Sequence, residues 1–407
     1  MEDLLQPSLR FPEFEGNWKV TTFGNHFSFK NTNSLSREKL NYEDGAVKNI
    51  HYGDIHTAFN LLFDITKEKV PFINTDEDIS NIDEENYVQN GDMVIADASE
   101  DYADIGKSIE VVNINNERVL AGLHTFLARK TDNTLANGFF AFLLTTYKAR
   151  LEIMRIAQGT KVLGLSKDRL SEIPLYIPET DEQQKITDFL KVIDKRLKLL
   201  MNKKEALEDY KKIVVQKLLN QEIRFKQDNG ENFPEWEEKR VDDVFDVTRG
   251  NVLAVSEMKT EKSLEYSYPV FSSQTKNDGL TGYYNDFLYE DAITWTTDGA
   301  NAGDVNFREG KFYCTNVCGV LLSNNNQANH CTAELLNRVT QRYVSYVGNP
   351  KLMNNIMAGV KIKFPDINEQ IKISNFIKNI IDKIKVEEKR IQDYQLFRKS
   401  LLQKMFV

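Results

Sequence analysis

Two stretches of the chain repeat apolar residues at every seventh position, the spacing of helices that pack together along a narrow seam. The repeats are Ile186, Ile193, Leu200, Leu207 and Val214, with Leu190 and Leu197 between them, and Ile373, Ile380, Tyr394 and Leu401, with Ile377, Ile384 and Ile391 between them. Both stretches follow a proline and open with acidic residues, as helix N-termini do. We predict two coiled-coil helices, each roughly 60 Å long at about 1.5 Å per residue.

The two helical stretches are copies of one sequence. Residues 178–186 (PETDEQQKI) are matched 187 places later by residues 365–373 (PDINEQIKI), and this offset holds without a gap to the Gln-Lys pairs at 216 and 403. Phe11-Pro12-Glu13 likewise matches Phe233-Pro234-Glu235 at an offset of 222. Internal repetition of this kind outranks local patterns as evidence of architecture. It predicts a tandem duplication whose two helices pair with each other; the alternative is a solvated charged helix at the end of each domain.

The segments outside the helices alternate strand-like apolar runs with turn residues. The runs lie at 92–96, 119–123, 292–295 and 318–322, and residues 138–156 have helical spacing. We therefore predict an α+β fold with two globular domains separated by two long antiparallel coiled-coil helices, related as a pseudo-twofold tandem repeat. The predicted limits are 1–178 for the first domain, 179–222 for the first helix, 223–365 for the second domain and 366–407 for the second helix.

Composition narrows the class of protein but complicates the choice of partner. The chain has 407 residues, 41% of them hydrophobic and 28% charged, with three cysteines and no run of eighteen apolar residues. We expect a cytoplasmic protein without disulfides, signal peptide or membrane span. The net charge is −9, and residues 43–104 hold sixteen acidic residues against three basic ones. Charge alone therefore argues against nucleic acid as a partner.

No catalytic centre, metal site or cofactor motif emerges from the sequence. Gly106-Lys107-Ser108 ends like a phosphate-binding loop, but Asp101 stands where that motif needs its first glycine. Cys314, Cys318 and the adjacent pair His330-Cys331 have nearly the spacing of a zinc site, although neighbouring residues ligate one ion with difficulty. His51 and His56 are five residues apart and do not share a helix face, so we interpret residues 51–56 as a polar loop. We predict no enzyme activity and no cofactor.

What remains are loops rich in amides, hydroxyls, basic residues and glycine. These side chains hydrogen-bond base edges and phosphates, and glycine permits close approach of the backbone. Ordinary surface loops have the same composition, so the pattern by itself does not decide between the two. The candidate DNA-contacting residues are Lys30, Asn31, Thr32, Asn33, Ser34, His51, Tyr52, Ser99, Arg249, Asn251, Ser272, Ser273, Gln274, Lys276, Asn277, Thr296, Thr297 and Asn301.

Taken together, these motifs resemble those of the specificity subunits of bacterial type I restriction-modification systems. The resemblance covers the whole chain and rests on the Phe-Pro-Glu segments, the Pro-x3-Glu-Gln-x-Lys-Ile helix starts and the Gln-Lys helix ends. Residues 268–273 (YPVFSS), 295–299 (WTTDG) and 315–319 (TNVCG) are similar to one recurrent type of target-recognition domain, and residues 51–55 (HYGDI) to a motif of others.

The resemblance implies two target-recognition domains that each read one half of a bipartite site in double-stranded DNA. It also implies that the helices act as a spacer, that two methyltransferase subunits dock on the chain, and that restriction and translocase subunits complete the assembly. S-adenosylmethionine, ATP and the catalytic motifs would then belong to the partners. Two alternatives stay open: a coiled-coil adaptor whose domains bind proteins, and an enzyme with an unrecognised site.

Overall fold

The structure is a computed structural model that describes residues 5–131, 134–273, 276–323 and 325–407. The chain forms two compact units, which we call unit 1 (residues 5–200 and 390–407) and unit 2 (residues 201–389). Each unit combines β-sheets with helices and contains part of both long helices. Among the described residues, no helix is both long and apolar enough to cross a membrane.

Unit 1 is built from short strands and short helices around the start of the first long helix. Its strands are β1 (Lys19–Thr22), β2 (Phe27–Lys30), β3 (Leu40–Asn41), β4 (Lys48–Ile50), β5 (Leu62–Asp64), β6 (Phe72–Ile73), β7 (Met93–Ala96), β8 (Ala98–Ser99), β9 (Ser108–Asn113), β10 (Val119–Ala121), β11 (Thr125–Lys130), β12 (Leu163–Gly164) and β13 (Pro174–Ile177). Its helices are α1 (Tyr52–Thr57), α2 (Phe139–Leu143), α3 (Tyr147–Ile156), α4 (Lys167–Ser171), the first half of α5 (Thr180–Leu219) and the last part of α8 (Ile367–Lys404).

The central sheet of unit 1 has the order β2-β11-β7-β9-β5 and is covered on both faces. Successive side chains of a strand point to opposite faces, so Met93 and Ile95 of β7 enter one core while Val94 and Ala96 enter another. The first core also contains Trp18 and an aromatic group from α2. Burial on both faces explains why the strand is continuously apolar instead of alternating.

Two predicted features of unit 1 need correction. Residues 51–56, interpreted as a polar loop, form the short helix α1, whose N-cap His51 accepts a hydrogen bond from the Gly53 amide at 3.1 Å. Residues 138–156 have helical spacing in the sequence but form two helices, α2 and α3. The backbone of Thr146 is extended, and its side chain caps α3. Both helices are too short for apolar periodicity to define them in the sequence.

Unit 2 is organised around a larger sheet of order β15-β20-β18-β19-β16-β17. Its strands are β14 (Glu237–Arg240), β15 (Asp246–Arg249), β16 (Tyr268–Phe271), β17 (Leu280–Tyr284), β18 (Tyr289–Thr296), β19 (Val305–Cys314), β20 (Cys318–Leu322) and β21 (Lys361–Phe364). Its helices are α6 (His330–Thr340), α7 (Asn354–Ala358), the second half of α5 and the first part of α8 (Ile367–Lys404). Trp295 of β18 lies against Gly319 of β20 so closely that a Cβ at position 319 would meet the indole ring at 2.1 Å.

The two long helices pair with each other, and they run antiparallel, as the predicted fold has them. In unit 2, Lys203 lies 2.7 Å from Glu387, while Leu218, fifteen residues further along α5, shares a core with Ile373, fourteen residues earlier in α8. In unit 1, Asp194 of α5 pairs with Arg398 of α8. The seam positions Ile186, Ile193, Leu200, Ile373, Ile380 and Leu401 are all buried. Both ion pairs, and the core that Leu218 shares with Ile373, each lie within a single unit.

The start of α5 is held by a buried carboxylate. Glu182 accepts hydrogen bonds from Nε and Nη2 of Arg10, both at 2.7 Å, and its other polar neighbour is the indole Nε1 of Trp18 at 3.4 Å. The side chain of Glu182 is almost completely buried. The same bonds raise the pKa of Arg10, so the guanidinium stays charged beside the carboxylate. This contact ties the segment before β1 to the first turn of the helix.

The start of α8 repeats the arrangement with residues of unit 2. Glu369, whose side chain is fully buried, accepts hydrogen bonds from Arg224 Nε (3.1 Å) and Nη2 (2.8 Å) and from Trp236 Nε1 (3.1 Å). The neighbouring glutamines also repeat their roles, because Gln183 and Gln370 each donate to the carbonyl of the proline five residues earlier at 2.9 Å. The Pro-x3-Glu-Gln motif is therefore a device that fixes each long helix to its own unit.

The acid sensitivity of unit 2 is expected to depend on His330, the first residue of α6. Burial lowers the pKa of His330 to about 4 from its ordinary value near 6.5. Between these values the unfolded chain binds a proton that the folded chain does not, so the free energy of unfolding should fall as pH falls from about 6.5 towards 4. Thermal melts of the His330→Gln variant should show a shallower pH dependence than the unaltered chain. Equal slopes for the two proteins would contradict this assignment.

Candidate nucleic-acid interface

Part of the negative charge at residues 43–104 is neutralised within unit 1, where five of the sixteen carboxylates pair with basic residues from outside the stretch. Basic residues from outside the stretch form ion pairs with its carboxylates at N–O distances of 2.6 to 2.8 Å. The pairs are Lys30–Glu85, Arg37–Asp54, Lys39–Glu77, Arg118–Glu84 and Arg129–Asp92. The charge count that argued against a nucleic-acid partner therefore overstates the negative charge that this stretch presents to solvent.

The candidate residues that follow β2 are bound to their neighbours in different degrees. Lys30 pairs with Glu85, the amide of Asn31 donates to Asn86 Oδ1 at 3.0 Å, and Thr32 Oγ1 donates to the carbonyl of residue 125 at 3.2 Å. Asn33 uses its side chain internally, donating to Asn49 Oδ1 at 2.7 Å. Ser34 is exposed. The segment thus presents exposed groups on a backbone that internal bonds hold in place.

The other candidates of unit 1 lie around α1. His51 is buried and caps the helix, and burial lowers the pKa of its imidazole. Ser99 is buried too, and its hydroxyl accepts a hydrogen bond from the Asp101 amide at 3.0 Å. Tyr52 is half-buried, with its ring centroid 5.4 Å from the ring of His124, a residue that the sequence did not single out. His124 has a left-handed backbone (φ 55°) and faces Asp97 at 3.3 Å.

In unit 2, the candidates Arg249 and Asn251 lie at the end of β15. Arg249 is exposed, and its Nη2 donates to the carbonyl of Asn316 at 2.9 Å. The amide of Asn251 donates to the Cys314 carbonyl at 3.1 Å, and its side chain is exposed. The short bonds keep both residues beside the turn at Thr315.

The remaining candidates of unit 2 lie on the segments after β16 and β18. Ser272 accepts from Thr315 Oγ1 at 2.8 Å, Ser273 is partly buried, and Lys276 and Asn277 are exposed. Gln274 lies outside the described residues. Thr297 is buried and its hydroxyl donates within the unit, to Asp298 Oδ2 at 2.7 Å or to the Val317 carbonyl at 3.0 Å.

A polar cavity of about 280 Å³ brings three of these candidates together. Ser272 follows β16, whereas Thr296 ends β18 and Asn301 lies five residues beyond it. All three meet in the wall of the cavity, where the sequence alone had not placed Ser272 beside the other two. The other polar groups of the wall come from β19, α6 and the turns beside them, and they are Asp278, Asp304, Asn306, Arg308 and Asn337. Asparagines, a serine, a threonine, two carboxylates and one arginine offer both hydrogen-bond donors and acceptors.

Arg308 is the basic residue in the wall of this cavity, and it is not among the candidates predicted from the sequence. Its Nε donates to Thr294 Oγ1 at 3.0 Å and its Nη2 to the Asp278 carbonyl at 2.7 Å. The guanidinium carbon stands 3.8 Å from the centroid of the Phe271 ring. Burial lowers the pKa of Arg308 to about 10, and in the described part of the chain no carboxylate forms an ion pair with it. In the sequence, Arg308 is one of several charged residues on an alternating strand, so no local signal marks it.

The residues considered for zinc do not form a ligand set. Cys314, Cys318 and Cys331 are buried free thiols, and burial raises the pKa of each, to about 11 for Cys318. Burial therefore disfavours the thiolate form that binds metal. Across the described ranges, no cluster of three or more His, Cys, Asp or Glu side chains is arranged to hold a metal ion.

Comparison with known families settles the class of protein. The family described as "Type I restriction modification DNA specificity domain" matches residues 15–209 and again residues 234–393, which together make up most of the chain. The chain belongs to this family. Specificity subunits of type I restriction-modification systems are not catalytic, so the chain is not an enzyme in its own right.

Individual relatives agree with the family. A putative type I specificity subunit of Mycoplasma pneumoniae is 30% identical over 254 residues, which is 58% of this chain and 99% of that protein. The specificity subunit of the type I restriction enzyme MpnII, from the same organism, is 31% identical over 196 residues, 44% of this chain and 57% of that protein. The crystal structure of a type I S subunit from M. genitalium has a TM-score of 0.66 at 16% identity and covers 99% of both chains. The resemblance to specificity subunits and the α+β repeat architecture are thus confirmed.

Proposed function

We propose that each unit of this specificity subunit reads one half of a bipartite site in double-stranded DNA. The observation that carries this proposal is the double match of a DNA-specificity family to a chain that repeats its own architecture. A duplicated reader suits a site with two separated halves, because each copy can meet a different base sequence. The polar cavity of unit 2 supports the same function, and the ion pairs within unit 1 reduce the negative charge that argued against it.

In this proposal the exposed candidates contact DNA and the buried ones hold the loops. The buried His51, Ser99 and Thr297, and the half-buried Asn33, use their polar atoms inside their units. The other exposed or half-buried candidates keep donors or acceptors for base edges and phosphates. They are Lys30, Asn31, Thr32, Ser34, Tyr52, Arg249, Asn251, Ser272, Ser273, Lys276, Asn277, Thr296 and Asn301.

The long helices, we further propose, set the length of the DNA spacer and dock two methyltransferase subunits. Apolar side chains are exposed outside the seam, including Val192 and Leu396 in unit 1 and Tyr210, Ile213 and Val386 in unit 2. Exposed apolar groups on a paired helix offer contact area to a partner subunit. Restriction and translocase subunits would join the assembly through the methyltransferases.

The deciding experiment is methylome sequencing of a methylation-free host that expresses the chain with its methyltransferase partner. We expect methylation at a motif with two specified halves and an unspecified spacer. Methylation of a continuous motif, or none while the complex is assembled, would overturn the proposal. Gel shifts of the complex at increasing salt separate DNA reading from a protein-binding adaptor, because only phosphate contacts give affinity that falls steeply with salt.

Replacing Arg249 by Ala should relax one position of the half-site read by unit 2. Loss of a base contact from its exposed guanidinium should cost about 1–3 kcal/mol of discrimination. Arg240→Ala is the matched control, because Arg240 lies in the same unit but is bound to Asp242 at 2.7 Å. Methylation of all single-base variants of the site, compared across the two mutants, measures the effect. An Arg249→Ala motif identical to that of the control would refute this role.

A further inference from the structure

The polar cavity of unit 2 contains an arginine, Arg308, that is fixed in place and forms no ion pair with a described carboxylate, although the charge of Asp278 in the same wall acts on it. Three groups hold its guanidinium: Thr294 accepts from Nε, the Asp278 carbonyl accepts from Nη2, and the Phe271 ring lies against one face. Nη1 is bonded to none of the described residues. An arginine held on three sides has lost most of its rotamer freedom before any ligand arrives, which favours selective binding.

The turn that supplies one of these contacts is itself held in an uncommon conformation. Asn277, Asp278 and Gly279 have φ values of 52°, 50° and 85°, three left-handed residues in succession. For the two that are not glycine, this conformation is costly and persists only where the surrounding structure enforces it. Here the amide of Ser272 donates to the Gly279 carbonyl at 2.8 Å and fixes the turn. The consequence is a carbonyl aimed at Arg308.

The chemistry of the cavity favours a nucleobase over a phosphate. Asp278 and Asp304 stand in the same wall as Arg308, and their carboxylates would repel a phosphate. The edge of a base pair offers acceptors for the guanidinium and donors for the carboxylates, so it can bind both kinds of side chain. In the major groove, guanine presents O6 and N7 to an arginine, while its cytosine partner presents an N4 amino group to a carboxylate.

We propose that Arg308 reads the guanine of a G·C base pair in the half-site bound by unit 2. The inference rests on the proposed function and deepens it by naming one residue and the base that it selects. Asp278 or Asp304 would accept from the paired cytosine, and Ser272, Thr296 and Asn301 would complete the contact to that base pair and its neighbours.

Two substitutions test the assignment in the assembled complex with its methyltransferase. Arg308→Lys keeps the charge but loses the planar fork, so discrimination for guanine at one position should fall roughly 10- to 100-fold. Arg308→Gln should shift the preference at that position towards adenine, because glutamine pairs with adenine N6 and N7. Arg342→Gln is the control, since Arg342 is exposed in the same unit and should leave the motif unchanged.

A probe in the DNA provides an independent readout that needs no variant. In competition gel shifts with the unaltered complex, 7-deazaguanine in place of the selected guanine removes N7 and should weaken binding about tenfold. The same probe should have a smaller effect on Arg308→Lys, because the lysine ammonium lacks the planar fork that holds O6 and N7 together. Thermal melting and co-purification with the methyltransferase establish that each variant is folded.

Each outcome bears on one proposal. An unaltered bipartite motif in both folded Arg308 variants overturns the inference while leaving the proposed function intact. Relaxed specificity at an A·T pair also overturns the inference, because Arg308 is assigned to guanine. A loss of affinity that is equal for all DNA sequences overturns it too, because it would indicate a phosphate contact. If neither variant folds, the DNA probe decides. Each guanine of the half-site is replaced in turn by 7-deazaguanine, and unchanged binding at every position overturns the inference. If the unaltered chain gives no methylation at a bipartite motif, the proposed function itself is refuted.

Discussion

Removing one heptad from each long helix is expected to shorten the DNA spacer by about three base pairs and to leave both half-sites unchanged. Seven residues of helix span about 10 Å, and base pairs are stacked about 3.4 Å apart. The segments to remove are 195–201 and 390–396, which lie between the ion pairs Asp194–Arg398 and Lys203–Glu387. Because the seam repeats every seven residues, the shortened helices keep their apolar register.

Methylome sequencing of the shortened chain, expressed with its methyltransferase, measures the spacer directly. A loss of three base pairs also rotates one half-site by about 100° around the DNA axis, so slower methylation is expected together with the new spacer. The matched control replaces both segments with unrelated heptads of equal length and the same apolar pattern, and it should keep the original spacer. The original spacer in the shortened chain would show that the helices do not measure the site.

The sequence predicted the parts of the fold that depend on periodicity and repetition. Both long helices and their pairing followed from the heptads and the internal repeat, and the strands at β7, β10, β18 and β20 followed from apolar runs between turns. The domain limits stay a prediction, because the compact units divide both helices internally, at Leu200 and Lys389. Sequence offset alone does not reveal where along a helix one body gives way to the next.

Features that depend on tertiary contacts could not be predicted. In the sequence, Glu182 and Glu369 are ordinary acidic residues of a first helical turn. Only the fold brings an arginine and a tryptophan into contact with each of them. Arg308 is the same kind of case, since its guanidinium packs on Phe271, which lies in a different strand of the sheet. Polar loops were recognised by composition, but composition does not separate Thr297, which is buried, from Thr296, which lines the cavity.

Replacing Glu369 by Ala is expected to produce the largest loss of stability in unit 2. The substitution removes a fully buried carboxylate and leaves Arg224, which is mostly buried, and the Trp236 indole without their acceptor. Breaking a buried ion pair by removing one partner costs about 3–5 kcal/mol, because the remaining charge has no compensation. The free energy of unfolding, measured for unit 2 by hydrogen exchange, should fall by that amount.

A matched control exists because Arg224 has a second carboxylate partner. Glu235 approaches Arg224 Nη1 at 3.5 Å, but its side chain is 91% exposed. Exposed ion pairs contribute about 0–1 kcal/mol, so Glu235→Ala should leave unit 2 nearly as stable as the unaltered chain. Equal losses in the two variants would show that burial of the pair is not what stabilises the start of α8.

The repeat predicts the same result in unit 1, with an independent readout. Glu182→Ala should destabilise unit 1 by a similar amount, while Glu179→Ala, which removes the exposed partner of Lys19, should have little effect. Because Glu182 and Glu369 are bonded to residues of different units, hydrogen exchange should locate the first loss in unit 1 and the second in unit 2. An equal fall in the free energy of unfolding of both units would contradict this prediction. It would show that Glu182 and Glu369 stabilise the chain as a whole and not the unit in which each lies.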